Sequence, residues 1–379
     1  MFAAVVKPDT QKKLQILSAD AQYDLACACG TSKDQHRTRT GDGKWLYPVT
    51  LPNGGKSVLL KTLLSNVCTN DCKYCPLREQ TDIPRCTLTP EETAEVFWEY
   101  LSRGKVFGLF LSSAILASPD NTMDRLNATA EILRNKYSYR GYIHLKIIPG
   151  ASDAAIEESL SLASAVSLNI ETPGGDHLAK LSSKKDYIRD IIEPIRLISS
   201  LTSTGSKYAR TKQTTQFIVG AAGESDTEIV KYLAALYDRL NLNRVYFSAY
   251  QKGAGDDSIT SEKETPKNPP DIFIREHRLY QVDFLLRRYG FKQSDITFDT
   301  NGNLSLSDDP KQIWASNHPE NFPVNVNAAS KFALLRVPGL GPVTVKTILH
   351  RRRQAKLSRI EDIAPTSKRL LKAARYLTF

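Results

Sequence analysis

The chain has 379 residues, of which 41% are hydrophobic and 24% charged, and its formal net charge is +10. This length exceeds what one hydrophobic core usually organises, so we expect two or more domains. Composition disfavours a membrane or secreted protein, because no apolar run approaches ~20 residues and the N-terminus lacks signal-peptide order. Its six clustered cysteines suit a reducing, cytoplasmic location.

The first 250 residues predict an extension followed by alternating strands and helices. Residues 1–56 read as a short helix (7–22), a polar arm and the hairpin-like turn "LPNGGK". Residues 57–250 then carry six apolar runs of strand length separated by five helical stretches. The strand candidates are 57–64, 106–111, 142–148, 165–170, 214–219 and 244–250. Sustained alternation predicts an α/β fold, a partial (β/α)6 barrel.

Two of the predicted helices have readable starts. Thr89, Pro90 and Glu92 form a capping box with proline at the first helical position. Ser225 and Glu228 form a second capping box before "DTEIVKYLAALYDRL". These signals support the division into strands and helices.

Three cysteines follow the first predicted strand, at Cys68, Cys72 and Cys75. That position places them on the rim where barrel folds keep their chemistry. Three thiolates on one loop can bind three irons of a 4Fe–4S cluster and leave the fourth iron open. A structural zinc site would need four ligands, and no second pair follows at finger-like distance. A structural zinc or cluster site is the alternative.

This motif, with the aromatic Tyr74 before its last cysteine, resembles the signature of the radical S-adenosylmethionine (SAM) superfamily. The resemblance implies a 4Fe–4S cluster and SAM as cofactors. It also implies reductive cleavage of SAM to a 5′-deoxyadenosyl radical that abstracts hydrogen from the substrate. The protein would bind and orient the reactants and exclude water.

Other predicted strand ends are similar to the SAM-holding elements of that superfamily. They are Ser112 and Ser113 after the second strand, Asn169 and Glu171 after the fourth, and Gly220, Gly223 and Glu224 after the fifth. The resemblance implies contacts with the methionine amine, the ribose hydroxyls and the adenine, in that order. Each feature alone is also typical of an ordinary turn or a solvated side chain. Parity leaves open whether Lys146 points into the barrel.

Three cysteines lie outside the motif, at Cys27, Cys29 and Cys86. With no partner motif, they are interpreted as ordinary free cysteines, which bury readily. The alternatives are that "DLACACGTS" supplies ligands for a second cluster, or that Cys27 reacts with a substrate radical.

Residues 251–322 are predicted as a connector. The stretch 251–270 is polar and rich in Pro and Gly, so we expect a mobile loop. Residues 271–291 return to helical periodicity.

Residues 323–379 form the predicted C-terminal domain, and the excess charge lies within it. Residues 331–379 contain twelve Lys and Arg against two acidic residues, a net charge of +10, whereas the first 330 residues carry 39 of each sign. Concentrated positive charge indicates a polyanionic partner.

"VPGLGP" within this basic segment predicts two short helices joined by a tight turn. Asn327 is a candidate cap for the first helix (328–336), and Pro342 opens the second. The pattern resembles the helix-hairpin-helix motif, a small all-α unit that binds the DNA backbone through amides at a helix N-terminus. The resemblance assigns backbone contacts to Val337, Gly339, Gly341, Lys346, Arg351, Arg352 and Arg353. The alternative is an αα-hairpin in which the glycines only make the turn.

Both modules in this order resemble DNA modification or repair radical SAM proteins with a C-terminal helix-hairpin-helix, and the resemblance covers most of the chain. It implies DNA repair or base modification, with an electron donor such as flavodoxin or ferredoxin. RNA modification is an alternative, because backbone amides do not distinguish RNA without contacts to the 2′-hydroxyl. A non-catalytic nucleic-acid-binding protein with a structural iron–sulfur cluster is another.

Overall fold

The computed structural model describes residues 8–21, 45–50, 55–253, 255–259 and 269–379. Their contacts separate two units, one within residues 1–224 and 236–273 and the other within 225–235 and 274–379. The four-part division at residues 56, 250 and 322 stays a prediction. Cys27 and Cys29 lie outside the described residues.

A curled half-barrel sheet of an α/β fold forms the first unit. Within the described residues its seven strands lie side by side in chain order. They are β1 (Leu46–Thr50), β2 (Lys56–Leu63), β3 (Gly108–Ser112), β4 (Tyr142–Lys146), β5 (Ala165–Ser167), β6 (Lys212–Val219) and β7 (Arg244–Ala249). Strand β1 pairs antiparallel with β2, and every later neighbour is parallel. The six predicted strands are confirmed, and β1 is the partner that the predicted hairpin requires, although turn residues 51–54 are outside the described ranges.

Helices connect the parallel strands. Helix α1 (Thr10–Asp20) precedes the sheet, and the connecting helices are α2 (Pro90–Ser102), α3 (Pro119–Asn135), α4 (Asp153–Leu162), α5 (Gly175–Leu181), α6 (Glu193–Thr202) and α7 (Asp226–Leu240), with a π-helical turn at Ile188–Ile192. The capping box of Thr89 and Glu92 is confirmed at the start of α2. That of Ser225 and Glu228 is confirmed before α7, where each residue's side chain accepts the other's amide.

Strand alternation decides what faces the barrel interior. Leu111 and Leu145 are fully buried beneath the helices, whereas the next residues, Ser112 and Lys146, end their strands and line a cavity. Successive residues of a strand point to opposite faces. Because the six strands β2 to β7 run parallel, their C-terminal ends and the following loops lie at one rim.

The second unit contains short helices around a separate core. They are α8 (Pro269–Arg288), α9 (Pro310–Asn317), α10 (Lys331–Arg336), α11 (Pro342–Arg351) and α12 (Lys368–Ala374), with a small parallel pair, β8 (Val324–Asn325) and β9 (Leu377–Thr378). The core includes Leu334, Val337, Val345 and Ile348. The helix predicted at 271–291 is confirmed as α8.

The start predicted for the first C-terminal helix was wrong. Helix α10 begins at Lys331 and is capped by Ser330, whose side chain accepts the amide of Ala333. Asn327 cannot cap this helix because its side chain binds both the amide and the carbonyl of Leu357, at 2.9 Å each. Pro342 does open α11, as predicted.

Candidate functional site

The cysteine loop begins where β2 ends and is closed at its base. Ser65 bridges to Thr87, and their hydroxyls lie 2.8 Å apart. The guanidinium of Arg85 donates to the carbonyls of Leu77 (2.8 Å) and Arg78 (2.7 Å) inside the loop. These contacts fix the loop against the rim without using any cysteine side chain.

Cys68, Cys72 and Cys75 line one cavity of about 360 Å³ at the C-terminal ends of the strands. The amide of Asn70 donates to the sulfur of Cys68, and that of Leu77 to the sulfur of Cys75, both at 3.4 Å. Burial raises the pKa of the Cys72 thiol and, reinforced by the neighbouring Cys72 charge, raises the pKa of Cys75 to about 12. The three predicted ligands therefore share one largely buried site.

Four of the other predicted SAM contacts, together with Tyr74, lie in the same wall. Ser112, Ser113, Asn169 and Glu171 all line the cavity. A pocket of about 300–1,000 Å³ is typical for a small organic ligand, and this cavity lies within that range. These residues thus share one cavity with the cysteines, and their contacts with SAM stay a prediction.

Glu171 reaches the cavity through a break in the sheet. Strand β5 ends at Ser167, and the hydroxyl of Thr215 then takes the place of backbone partners, accepting the amide of Ile170 at 2.8 Å and donating to the carbonyl of Leu168 at 2.7 Å. Glu171 itself has φ +65°, which is uncommon for a residue other than glycine. Its amide and carbonyl are held by Gln216 and Ile218, at 3.0 and 2.8 Å.

The buried carboxylate of Glu171 has an unused acceptor. Its side chain is 7% exposed, and Oε2 has no hydrogen-bond partner among the described residues. Buried polar atoms are usually paired, so this oxygen is an exception in a residue that lines the cavity. The three thiols match the three protein ligands that a 4Fe–4S cluster with one open iron requires.

A mononuclear metal centre is a different arrangement. Over the ranges that the structure describes, no three His, Cys, Asp or Glu side chains are grouped so that they could hold a single metal ion. Thiolates of a cubane cluster bind separate irons, so they need not converge on one point. The cysteine geometry fits a cluster in this respect.

The family comparison agrees with this geometry. Residues 62–236 match the model of the radical SAM superfamily. This segment is a radical SAM domain. Domains of this superfamily use a 4Fe–4S cluster and SAM. A search of curated proteins finds none that matches.

Solved structures resemble the chain only distantly. The hydrogenase maturase HydG from Carboxydothermus hydrogenoformans is 14% identical over 60% of this chain and 51% of its own, with a TM-score of 0.46. Methylornithine synthase PylB is 16% identical over 59% and 62%, at 0.45. The cobalamin-dependent SAM radical enzyme OxsB is 11% identical over 86% and 63%, at 0.40. The chain spans about half the length of that HydG chain.

Lys185 is a site residue of the radical SAM domain that sequence reasoning missed. Its side chain is 7% exposed, and Nζ lies 3.2 Å from the Tyr74 hydroxyl and 3.6 Å from Oε1 of Glu171. Burial would lower the pKa of Lys185, but the charges of Cys72 and Glu171 outweigh it and raise that pKa. Its one sequence signal was its position on a loop at the barrel rim.

Three further side chains complete the polar wall of the radical SAM domain. Lys146, Gln216 and Ser248 line the cavity, so the side chain of Lys146, whose direction the sequence left open, points inward.

Cys86 is not in this wall. It is buried near α1, with its sulfur 3.9 Å from the carbonyl of Lys13, and burial raises its pKa to about 11.

The Gly-rich turn after β6 does not line the cavity. The carboxylate of Glu224 accepts the amides of Gly220 and, at 3.1 Å, Ala222. It therefore holds the turn together. Contacts of Gly220, Gly223 and Glu224 with adenine stay a prediction.

Part of the predicted mobile loop 251–270 packs against the cysteine loop. The amide of Asp256 donates to the carbonyl of Lys73 at 2.7 Å, and Arg78 donates to the carbonyl of Gly255 at 3.3 Å. Ile259 is buried beside Tyr250 and Tyr74. The polar composition of this segment gave no indication of these contacts. Residues 254 and 260–268 lie outside the described ranges.

In the second unit, the three predicted backbone-binding residues of the turn between α10 and α11 have different roles. Val337 is fully buried. Gly339 has φ +89°, and a side chain there would collide with the carbonyl of Arg369 in α12. Gly341 has φ −114°, and an added Cβ would meet only the Tyr289 hydroxyl, at 3.8 Å. Gly339 therefore serves the fold, whereas the space at Gly341 is open.

The predicted phosphate-binding cations fall into two groups, those with exposed side chains and one that holds the backbone of its own unit. Lys346 and Arg353 are exposed, and Arg351 is exposed but donates to the carbonyl of Asp362 at 2.7 Å. The assignment of Arg352 to phosphate binding is corrected by the structure, because its guanidinium donates to the carbonyls of Val326 and Ala329, at 3.1 and 2.7 Å.

No helix in the described parts of the chain is long and apolar enough to cross a membrane.

Proposed function

We propose that this radical SAM enzyme acts on nucleic acid, in DNA repair or DNA base modification. The observation that carries the proposal is the location of the whole net charge of +10 within residues 331–379. Sequence-independent binding of DNA depends mainly on cations that neutralise phosphates. Exposed Lys346 and Arg353 and the open N-terminus of α11 support this role.

We propose that α10, the glycine turn and α11 act as a helix-hairpin-helix. Gly341 precedes α11 and provides no side-chain cap, which leaves first-turn amides without an intramolecular acceptor. Amides at a helix N-terminus, together with the helix dipole, suit a phosphate. Val343, in the first turn of α11, is 81% exposed, so this end of the helix is open to a partner.

In the first unit, the three cysteines would hold the cluster, and Glu171, Asn169, Ser112 and Ser113 would orient SAM. The bound cofactors supply radical chemistry, hydrogen abstraction from carbon that acids and bases cannot activate. The chain's own task is to position the reactants and exclude water from the cavity. A base in duplex DNA must flip out to be reached, at a cost of a few kcal/mol that is lower for a damaged base.

Two partners follow from the proposed chemistry. Radical SAM enzymes need an electron donor, and we propose a small redox protein such as flavodoxin or ferredoxin. A cytoplasmic location would supply both this donor and the nucleic acid.

Cofactor chemistry is tested without knowing the substrate. Protein reconstituted anaerobically should release 5′-deoxyadenosine when given SAM and a reductant, and Cys72→Ala should abolish that release. Cys86→Ala is the matched control, because Cys86 is buried outside the cavity. Nucleosides from DNA and RNA incubated with the enzyme are then compared by mass spectrometry. A change confined to RNA nucleosides would replace the DNA assignment.

Backbone binding is tested at Gly341, because alanine fits there without strain. Gly341→Ala should keep the fold and weaken duplex binding if a phosphate approaches the amide closely. Lys346→Ala should weaken binding and reduce its salt dependence, whereas Lys105→Ala, an exposed lysine of the first unit, should not. Equal duplex affinity in all four proteins would remove the proposed interface.

A further inference from the structure

Lys311 is a buried cation beneath the glycine turn of the second unit. It lies in the first turn of α9 and is 9% exposed. Its ammonium donates to the carbonyl of Leu340 at 2.6 Å and to that of Leu335 at 2.9 Å, and it lies 4.8 Å from the ring centre of Tyr289. Buried lysines are rare unless paired, yet across the described residues no carboxylate lies within ion-pair distance of this one.

We propose that Lys311 is a positioning residue for phosphate binding at the glycine turn. This inference rests on the proposed function of the second unit as a nucleic-acid-binding module. Lys311 would not touch the phosphate. It would fix the direction of the amide that does, and it would add positive charge behind that amide.

The geometry of the peptide group supports the first effect. The carbonyl of Leu340 and the amide of Gly341 belong to one planar trans unit and point in opposite directions. Because Lys311 holds that carbonyl inward, the Gly341 amide points away from the core. The carbonyl of Leu335 fixes the other side of the turn, near the end of α10.

Charge supports the second effect. A buried ammonium is poorly screened by solvent, and its field adds to the positive end of the α11 dipole. Both favour an anion at the first turn of α11.

Proton linkage gives the proposal a distinctive readout. Burial lowers the pKa of Lys311 to about 7, while Asp309 opposes this shift and Lys372 reinforces it. The neighbouring titratable ring is Tyr289, which directly follows α8. A bound phosphate would favour the ammonium form, so binding takes up a proton at higher pH. Affinity should therefore fall as pH rises above about 7, by at most roughly tenfold per pH unit for one proton.

The test is duplex binding by the full chain, measured by fluorescence anisotropy from pH 6.5 to 8.5 at fixed salt. Lys311→Met keeps the length but removes the charge and both hydrogen bonds. We expect it to bind about tenfold more weakly at pH 6.5 and to lose the pH dependence. Lys311→Arg, charged throughout this range, should bind without pH dependence. Lys356→Met, at an exposed lysine of the same unit, should keep the wild-type profile.

A wild-type pH profile in a folded Lys311→Met or Lys311→Arg protein would overturn the inference. If Lys311→Met does not fold, the Lys311→Arg profile decides. If the wild-type protein binds no duplex, the proposed function fails instead. The inference is then decided by NMR, from the shift of the Gly341 amide on adding inorganic phosphate. That shift should weaken as pH rises in wild type, and a pH-independent shift would refute the role of Lys311.

Discussion

Replacing Glu171 by glutamine tests the assignment of the SAM site at a single oxygen atom. The variant keeps the size of the side chain but removes the charge, and an amide nitrogen takes the place of one acceptor. In wild type, Oε2 is buried and has no partner among the described residues, and Glu171 lines the cavity. The backbone at this position is held from both sides by β6, so the substitution should not move the chain.

The expected loss follows from the type of hydrogen bond. A hydrogen bond to a charged acceptor contributes about 1.5–3 kcal/mol. Since 1.4 kcal/mol is tenfold in affinity, Glu171→Gln should weaken binding of SAM by about 10- to 150-fold. Glu171→Gln also removes the ion pair of Lys185 with Oε1, so the unfolding free energy of the variant is measured alongside its affinity for SAM.

The assay is calorimetric titration of anaerobically reconstituted protein with S-adenosylhomocysteine and its 2′-deoxy and 3′-deoxy analogues. Wild type should prefer the parent ligand over at least one deoxy analogue, and Glu171→Gln should lose that preference. Glu92→Gln is the matched control, a half-buried glutamate outside the cavity whose carboxylate pairs with Lys13. Undiminished discrimination in Glu171→Gln would show that the carboxylate does not bind the ribose.

Three further outcomes follow from buried groups and the glycine turn. Lys185→Met removes the cation paired with Glu171, so unfolding of the cluster-free protein in denaturant should require about 3 kcal/mol less. Most of this loss should return in Lys185→Met/Glu171→Gln, and no recovery would contradict the ion pair. Gly339→Ala should lower stability by at least about 1–2 kcal/mol because of its positive φ and its collision with the Arg369 carbonyl. Gly341→Ala should lower it by less, roughly 0.5 kcal/mol, because alanine is a poorer N-cap than glycine; thermal unfolding that ranks them equally would contradict the turn geometry. Lys311, whose pKa is lowered from 10.5 to about 7, binds fewer protons in the folded than in the unfolded chain between these values. Stability should therefore rise with pH across that window, by at most about 1.4 kcal/mol per unit, and Lys311→Met should remove this rise in denaturant titrations.

The parallel sheet was predictable because burial of both faces leaves long apolar runs in the sequence. The end of β5 was not, because it depends on a side chain from another strand. Residues 165–170 read as one strand, but the Thr215 hydroxyl takes over the backbone groups after Ser167. Parity still placed Asn169 and Glu171 together, and both reach the cavity, although Glu171 does so through a positive φ that no local pattern indicated.

For the C-terminal cations, residue type alone does not indicate whether a side chain binds phosphate or stabilises the fold. Arg352 and Arg353 are neighbours in one basic run, and the sequence assigns both to phosphates. In the structure Arg352 satisfies two carbonyls at the end of an irregular segment, whereas Arg353 is exposed. Open carbonyls are a property of the tertiary fold, so a charge pattern alone cannot separate a binding arginine from one that holds the chain together.

Lys184 and Lys185 present the same difficulty inside the active domain. The two side chains are adjacent and chemically identical, yet Lys184 is 45% exposed and pairs with Glu79, while Lys185 is 7% exposed beside Glu171. Exposed ion pairs contribute little, whereas removing one partner of a buried pair leaves an uncompensated charge. The functional weight of a lysine in this chain therefore depends on the acceptors that the fold gathers around it. Lys311 is likewise distinguished by the two carbonyls that the fold gathers around its ammonium, those of Leu335 and Leu340.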